Sequence, residues 1–188
     1  MDNVMFMRRA KAQLAGQWMY AAIGTLIYLA ILSAASFTYI GDLIIYGPLT
    51  LGYILFLSRL VDTKNNNFDI LFVGFNRFVE TLVAGLLYSL ATSIGTCLLI
   101  VPGIIIGLGF SMTFFIMADD PNISGIDALK MSWNMMQGHK WDLFCLQLRF
   151  IGWILLAIIT CGIGFLWLYP YMLTATLNFY RQLRYGTF

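Results

Sequence analysis

Apolar residues gather in four long blocks along the chain, and two of those blocks are too long to be single helices. Trp18–Phe37 and Leu43–Val61 each fit one crossing of a hydrocarbon core about 30 Å thick, which needs roughly 20 residues. Thr81–Ala118 runs without a charge for about twice that length, so it is predicted to fold back, with Val101-Pro102-Gly103 as the breaker. Leu143–Tyr180 is equally long and carries one charge, Arg149, with Cys161-Gly162-Ile163-Gly164 as its turn. The pattern predicts an all-α membrane protein: six transmembrane helices in three hairpins, over residues 18–37, 43–61, 81–100, 103–118, 143–160 and 165–180. They are expected to form a single integral membrane domain over residues 1–188. The first block exceeds the roughly 7–15 apolar residues of a cleaved signal, so it is expected to stay as helix one.

Two connecting segments are amphipathic. In Phe68–Glu80, Phe68, Leu71, Phe72, Phe75, Phe78 and Val79 follow helical spacing, with Asp69, Asn76, Arg77 and Glu80 opposite. In Ile126–Gln137, Ile126, Leu129, Trp133 and Met136 face one way, and Asp127, Lys130, Asn134 and Gln137 the other. Ser124 followed by Asp127 is an N-cap signal for that second helix. Both are predicted to be helices, over 68–80 and 126–137, lying in the cytoplasmic membrane interface. Val4–Ala15 has a weaker pattern of the same kind. A unit of interfacial helix, outgoing helix, turn and returning helix thus recurs three times. Pro48 and Pro170 each fall early in a returning helix, six residues after Asp42 and Gly164.

Composition and charge place these helices in a membrane. Hydrophobic residues make up 60% of the chain and charged ones 11%, against about 25% charged in a soluble domain. With the N-terminus in the cytoplasm, all 11 basic residues fall on that side or in the cytoplasmic half of a helix, and Asp42 is the only charge in the opposite turns. This predicts cytoplasmic termini in the inner membrane. A net charge of +2 does not point to nucleic acid. The three cysteines lack metal-ligand spacing; Cys97 and Cys161 both fall near the outer turns, where a disulfide is conceivable but not expected.

The candidate chemistry clusters late in the chain. Arg149 is the one charge deep in an apolar block, about 10 Å along its helix from Asp142. It is a candidate for an anion or lipid headgroup, although its side chain can also reach back to the interface. His139, Lys140 and Trp141 form either a headgroup site or an ordinary helix entry. Asp119 and Asp120, before Pro121, suit a solvated turn better than a metal site. Gly103, Gly107 and Ser111, and likewise Gly85, Ser89 and Ser93, are small residues at four-residue spacing that let helices approach closely. No cofactor or metal site emerges. The apolar blocks contain no Asp, Glu or His for a proton relay, and no nucleophile–base constellation is present.

Several segments carry a family resemblance: Gly47–Tyr53 (GPLTLGY), Asp69–Phe78 (DILFVGFNRF), Val101-Pro102-Gly103, Ala128–Trp153, Gly162-Ile163-Gly164 and Tyr169-Pro170-Tyr171. They resemble the DUF975 group of bacterial integral membrane proteins, whose members have no established function. The run Gly138-His139-Lys140-Trp141 is the most specific part. The resemblance implies a small polar residue where Arg149 stands, and a similarity to membrane domains attached to some glycerophosphodiester phosphodiesterases. The expected function is non-enzymatic: interaction with lipids or organisation of a membrane complex. Expected partners are membrane lipids, other membrane proteins or a second copy of the chain, and not nucleic acid. The alternative is a small transporter or channel for an amphiphilic or anionic solute, with Arg149 selecting charge.

Overall fold

Helix α3 (Tyr39–Thr63) packs against helical elements both before and after it in the chain. The computed structural model describes residues 3–36, 39–98, 100–160 and 162–186, and every regular element among them is helical. In order these are α1 (Asn3–Gln13), α2 (Trp18–Ala35), α3, a 3-10 helix (Phe68–Arg77), α4 (Phe78–Leu98), α5 (Ile100–Phe110), α6 (Thr113–Asp119), α7 (Gly125–Met135), α8 (Lys140–Leu148), α9 (Ile151–Ile159) and α10 (Phe165–Tyr185). One face of α3 buries Leu49, Tyr53, Phe56 and Leu57 with α2 and the 3-10 helix. Another buries Leu51 and Ile54 in a larger cluster with α5, α6, α8 and α10.

Among the described residues five stretches are long and apolar enough to cross a membrane: Trp18–Ala35, Leu43–Thr63, Phe68–Cys97, Val101–Asp119 and Lys140–Ile159. α10 has the length, but Thr174, Thr176, Asn178, Arg181 and Gln182 lower its apolarity. Large apolar side chains stand bare on the outside, Ile159 at 76% and Val79 at 67% exposure among them. Soluble monomers seldom carry apolar surface on this scale.

The structure departs from the sequence reading in several places. The segment predicted as an α-helix over 68–80 is a 3-10 helix that runs directly into α4 and packs along α3. Three residues per turn put Phe68, Leu71 and Gly74 on one edge, and that edge meets α3. The contact is backbone to backbone. A Cβ on Gly52 would lie 1.9 Å from the Leu71 carbonyl oxygen, and one on Gly74 1.9 Å from that of Pro48. Second, Pro102 is not the breaker: it sits third in α5, where its missing N–H costs no helical bond. α4 ends at Leu98, and residue 99 lies outside the described residues.

Third, the predicted helix over 103–118 is interrupted at Ser111-Met112. The fully buried Ser132 of α7 bridges the gap: its Oγ accepts from the Met112 amide at 3.1 Å and donates to the Gly109 carbonyl at 2.8 Å. The helix predicted over 143–160 likewise starts at Lys140 and is interrupted at Arg149-Phe150. Fourth, α7 turns Gly125, Ala128, Leu129, Ser132 and Met136 inward, not the Ile126–Leu129–Trp133–Met136 face. Its start agrees with the sequence, since Ser124 Oγ accepts from the Asp127 amide at 3.1 Å. The helix over 43–61 is extended at both ends, to Tyr39 and Thr63. α1 docks on α10 through the Phe6–Phe179 ring pair and an Asn178–Gln13 hydrogen bond of 2.8 Å.

Candidate functional site

The corner between α7 and α8 holds three of the four polar or aromatic candidates. α7 stops at Met135, and Gly138 turns the chain with φ +82, a conformation open to glycine at little cost. His139 follows as the N-cap of α8, its Nδ1 3.4 Å from Asp142 Oδ2. Lys140 Nζ stands 3.5 Å above the Trp133 ring, a cation–π contact. Trp141 is 70% exposed, with its ring beside Phe144. Arg149 is not part of this corner. Nine residues beyond Lys140, it lies about 13 Å further along the helix axis. It is exposed at the α8–α9 interruption and has no side-chain partner among the described residues.

The corner borders an outer groove of about 780 Å³ between α4, α5 and α7. Leu87, Ile94, Ile106 and Leu129 contribute apolar walls, and Lys130, Trp133 and Asn134 line it as well. Gly109 makes the Trp133 position possible, because a Cβ there would fall 2.5 Å from the indole ring. The groove therefore combines a hydrocarbon-like wall with a cationic, aromatic edge.

An inner cavity of about 210 Å³ lies where α3, α4, the α5–α6 and α8–α9 interruptions and α10 converge. Tyr46, Thr50, Tyr88, Ser111, Gln147 and Tyr169 supply its polar atoms. Behind it, Tyr28, Tyr53 and Tyr169 stack with ring centroids 4.8–5.6 Å apart. Thr25 Oγ1 donates to the Ala21 carbonyl, so the 2.6 Å contact with Tyr53 is donated by the tyrosine hydroxyl. Tyr28 and Thr50 hydroxyls meet at 3.2 Å. Sequence reasoning missed this group. Its signal was available, because Tyr28, Tyr53 and Tyr88 fall in the middle of apolar blocks, whereas membrane tyrosines usually mark the interfaces.

Of the small residues, Gly85 faces Gly47, with its virtual Cβ 3.2 Å from that Cα, and Gly103 abuts Thr96 backbone at 2.8 Å. Gly107 meets Thr92 Cγ2 at an ordinary 3.7 Å. Ser89 and Ser111 donate to carbonyls of their own helices, those of Leu86 and Leu108. Cys97 and Cys145 are free thiols, and the Cys97–Cys161 question falls on a residue outside those described.

One end of the bundle is held by charge. Arg181 forks onto Asp62 (2.8 and 2.5 Å), and Arg77 donates to the carbonyls of Met117, Asp120 and Ile123. Asp119 is no plain solvated turn: it accepts from Tyr180 at 2.8 Å and Tyr185 at 2.5 Å and pairs with Arg184 at 3.5 Å. That hydrogen bond to Asp119, followed by burial, raises the Tyr185 hydroxyl above its ordinary pKa. Among the described residues no three His, Cys, Asp or Glu side chains gather to hold a metal ion.

Helices of this length and apolarity, around a tyrosine-lined interior, are consistent with a multi-pass membrane protein. Residues 96–186 match the family model described as protein of unknown function (DUF975). The matched region holds both helix interruptions, the Gly138–Trp141 corner and α10, whereas the resembling segments Gly47–Tyr53 and Asp69–Phe78 precede it. No curated protein and no solved structure matches the chain.

Proposed function

We propose that this chain is a non-enzymatic, multi-pass protein of the bacterial inner membrane that binds lipids along its outer groove, with both termini in the cytoplasm and α10 as a sixth span. The observation that carries the reading is the groove: apolar walls beside Lys130 and Trp133, with Lys140 seated on the Trp133 face. Acyl chains match the walls. A negatively charged headgroup matches the lysines, as basic residues at an interface attract anionic lipid by about 1 kcal/mol each. The charge-selective transporter reading has less to rest on, because Arg149 lines neither the groove nor the inner cavity.

Native mass spectrometry of the protein released from mild detergent tests this. Anionic phospholipid is expected to stay bound in preference to zwitterionic phospholipid, and Lys130→Gln with Lys140→Gln is expected to remove the preference. Complete delipidation of the parent in every mild detergent, or retention that ignores headgroup charge, would count against the assignment.

A further inference from the structure

The inner cavity carries an inference independent of the lipid groove. The geometry points to a binding site for a small, uncharged, single-ring molecule bearing a hydroxyl or carbonyl group, of the phenol class. Three properties of the walls select that chemistry.

The first is charge. None of the lining residues is Asp, Glu, Lys, Arg or His. An ion placed among them would have no counter-charge, and desolvating an unpaired ion costs several kcal/mol. That disfavours anions and cations alike.

The second is shape. Seven aromatic rings border the space, four from Phe110, Phe114, Phe115 and Phe150 and three from Tyr46, Tyr88 and Tyr169. Aromatic side chains favour edge-to-face and offset contact with another ring. The volume of about 210 Å³ is below the roughly 300–1,000 Å³ of pockets for drug-sized ligands, which sets the scale at one ring.

The third is unused hydrogen-bonding capacity. The Tyr88 hydroxyl and the Gln147 carboxamide line the cavity, and neither has a hydrogen-bond partner among the described residues. Gln147 stands at the exposed rim. Together they offer donors and acceptors to one or two polar atoms on the ring. Both helix interruptions also open here, through Ser111 and Phe150. Discontinuous membrane helices are where transporters commonly place their binding sites. A neutral ring compound is soluble enough in hydrocarbon to reach this site through the bilayer.

The probe is 4-methylphenol, measured by saturation-transfer NMR and thermal shift on the full chain in detergent. Benzoate, benzyltrimethylammonium and glycerol serve as the anionic, cationic and ringless counterparts. The parent is expected to bind 4-methylphenol saturably, and the three counterparts are expected to show no saturable binding. Tyr88→Phe combined with Gln147→Leu is expected to weaken binding roughly tenfold, the size of one or two lost hydrogen bonds. Thr176→Met, which adds bulk at the cavity wall, is expected to abolish it, with circular dichroism and gel filtration confirming the fold of each variant. Lys130→Gln and Lys140→Gln leave this binding unchanged, which separates it from the lipid assignment. No saturable binding to the parent, equal uptake by parent and cavity variants, or equal binding of the charged counterparts overturns the proposal.

Discussion

Ser132→Ala is the sharpest test of how the interrupted helix between α5 and α6 is held. Ser132 is fully buried, accepts from the Met112 amide at 3.1 Å and donates to the Gly109 carbonyl at 2.8 Å. Alanine removes both bonds and leaves the Met112 N–H without an acceptor. A buried orphan of that kind costs about 1–3 kcal/mol. Side-chain hydrogen bonds between membrane helices average only about 0.6 kcal/mol, because the displaced groups usually find other partners. Here the repair is blocked. The Leu108 carbonyl, which would accept from Met112 in a continuous helix, already receives the Ser111 amide at 3.4 Å and the Ser111 hydroxyl at 2.7 Å. The loss is therefore expected to exceed the average, at about 2–3 kcal/mol, or roughly thirty- to 150-fold in the unfolding equilibrium. Reversible unfolding in mixed micelles measures it, and hydrogen exchange at the Met112 amide reports the site directly. Ser132→Thr keeps the hydroxyl and should exchange as slowly as the parent. A Ser132→Ala protein within about 0.5 kcal/mol of the parent, with Met112 exchange unchanged, would show that α5 and α6 straighten and repair themselves.

Other expectations follow from single contacts. Gly52→Ala and Gly74→Ala force a Cβ to 1.9 Å from a backbone carbonyl, so each should destabilise by at least the ~1–3 kcal/mol of overpacking, whereas Gly107→Ala, with its nearest atom at 3.7 Å, should be nearly neutral in thermal denaturation. The Tyr185 hydroxyl is held protonated by Asp119, so the folded state binds that proton more tightly than the unfolded chain. Its stabilisation is full below about pH 10 and is lost as pH rises through the higher folded value; Tyr185→Phe should flatten that alkaline decline in a pH-dependent melting series. If the termini are cytoplasmic, the exposed Cys97 near the far end of α4 should react with a membrane-impermeant maleimide added outside intact spheroplasts, in a variant with Cys145 and Cys161 replaced by Ser. Labelling only after lysis would invert the orientation.

Arg149 and Asp119 show why candidate chemistry was harder to place than helices. Arg149 stood out because it is a charge inside an apolar block, yet it is exposed and lines neither opening. Asp119 looked like half of a loop motif. Its importance depends on Tyr180, Tyr185 and Arg184, which lie more than sixty residues away and reach it only when α10 returns beside α6. The tyrosines of the inner cavity were visible as residue types, but Tyr46, Tyr88 and Tyr169 converge from three different helices.

Helical class, the apolar stretches and the Ser124 cap were determined by the sequence alone, because hydropathy runs, helical periodicity and capping act over a few turns of chain. The tertiary structure decided the 3-10 form of Phe68–Arg77, the two interruptions and the cavity they border. Each depends on a partner distant in sequence: α3 accepts a backbone at Gly52, Ser132 satisfies a broken ladder, and rings from separate helices close around one space. A local pattern can specify that a glycine or serine is small or polar. It cannot specify which backbone will come to rest against it.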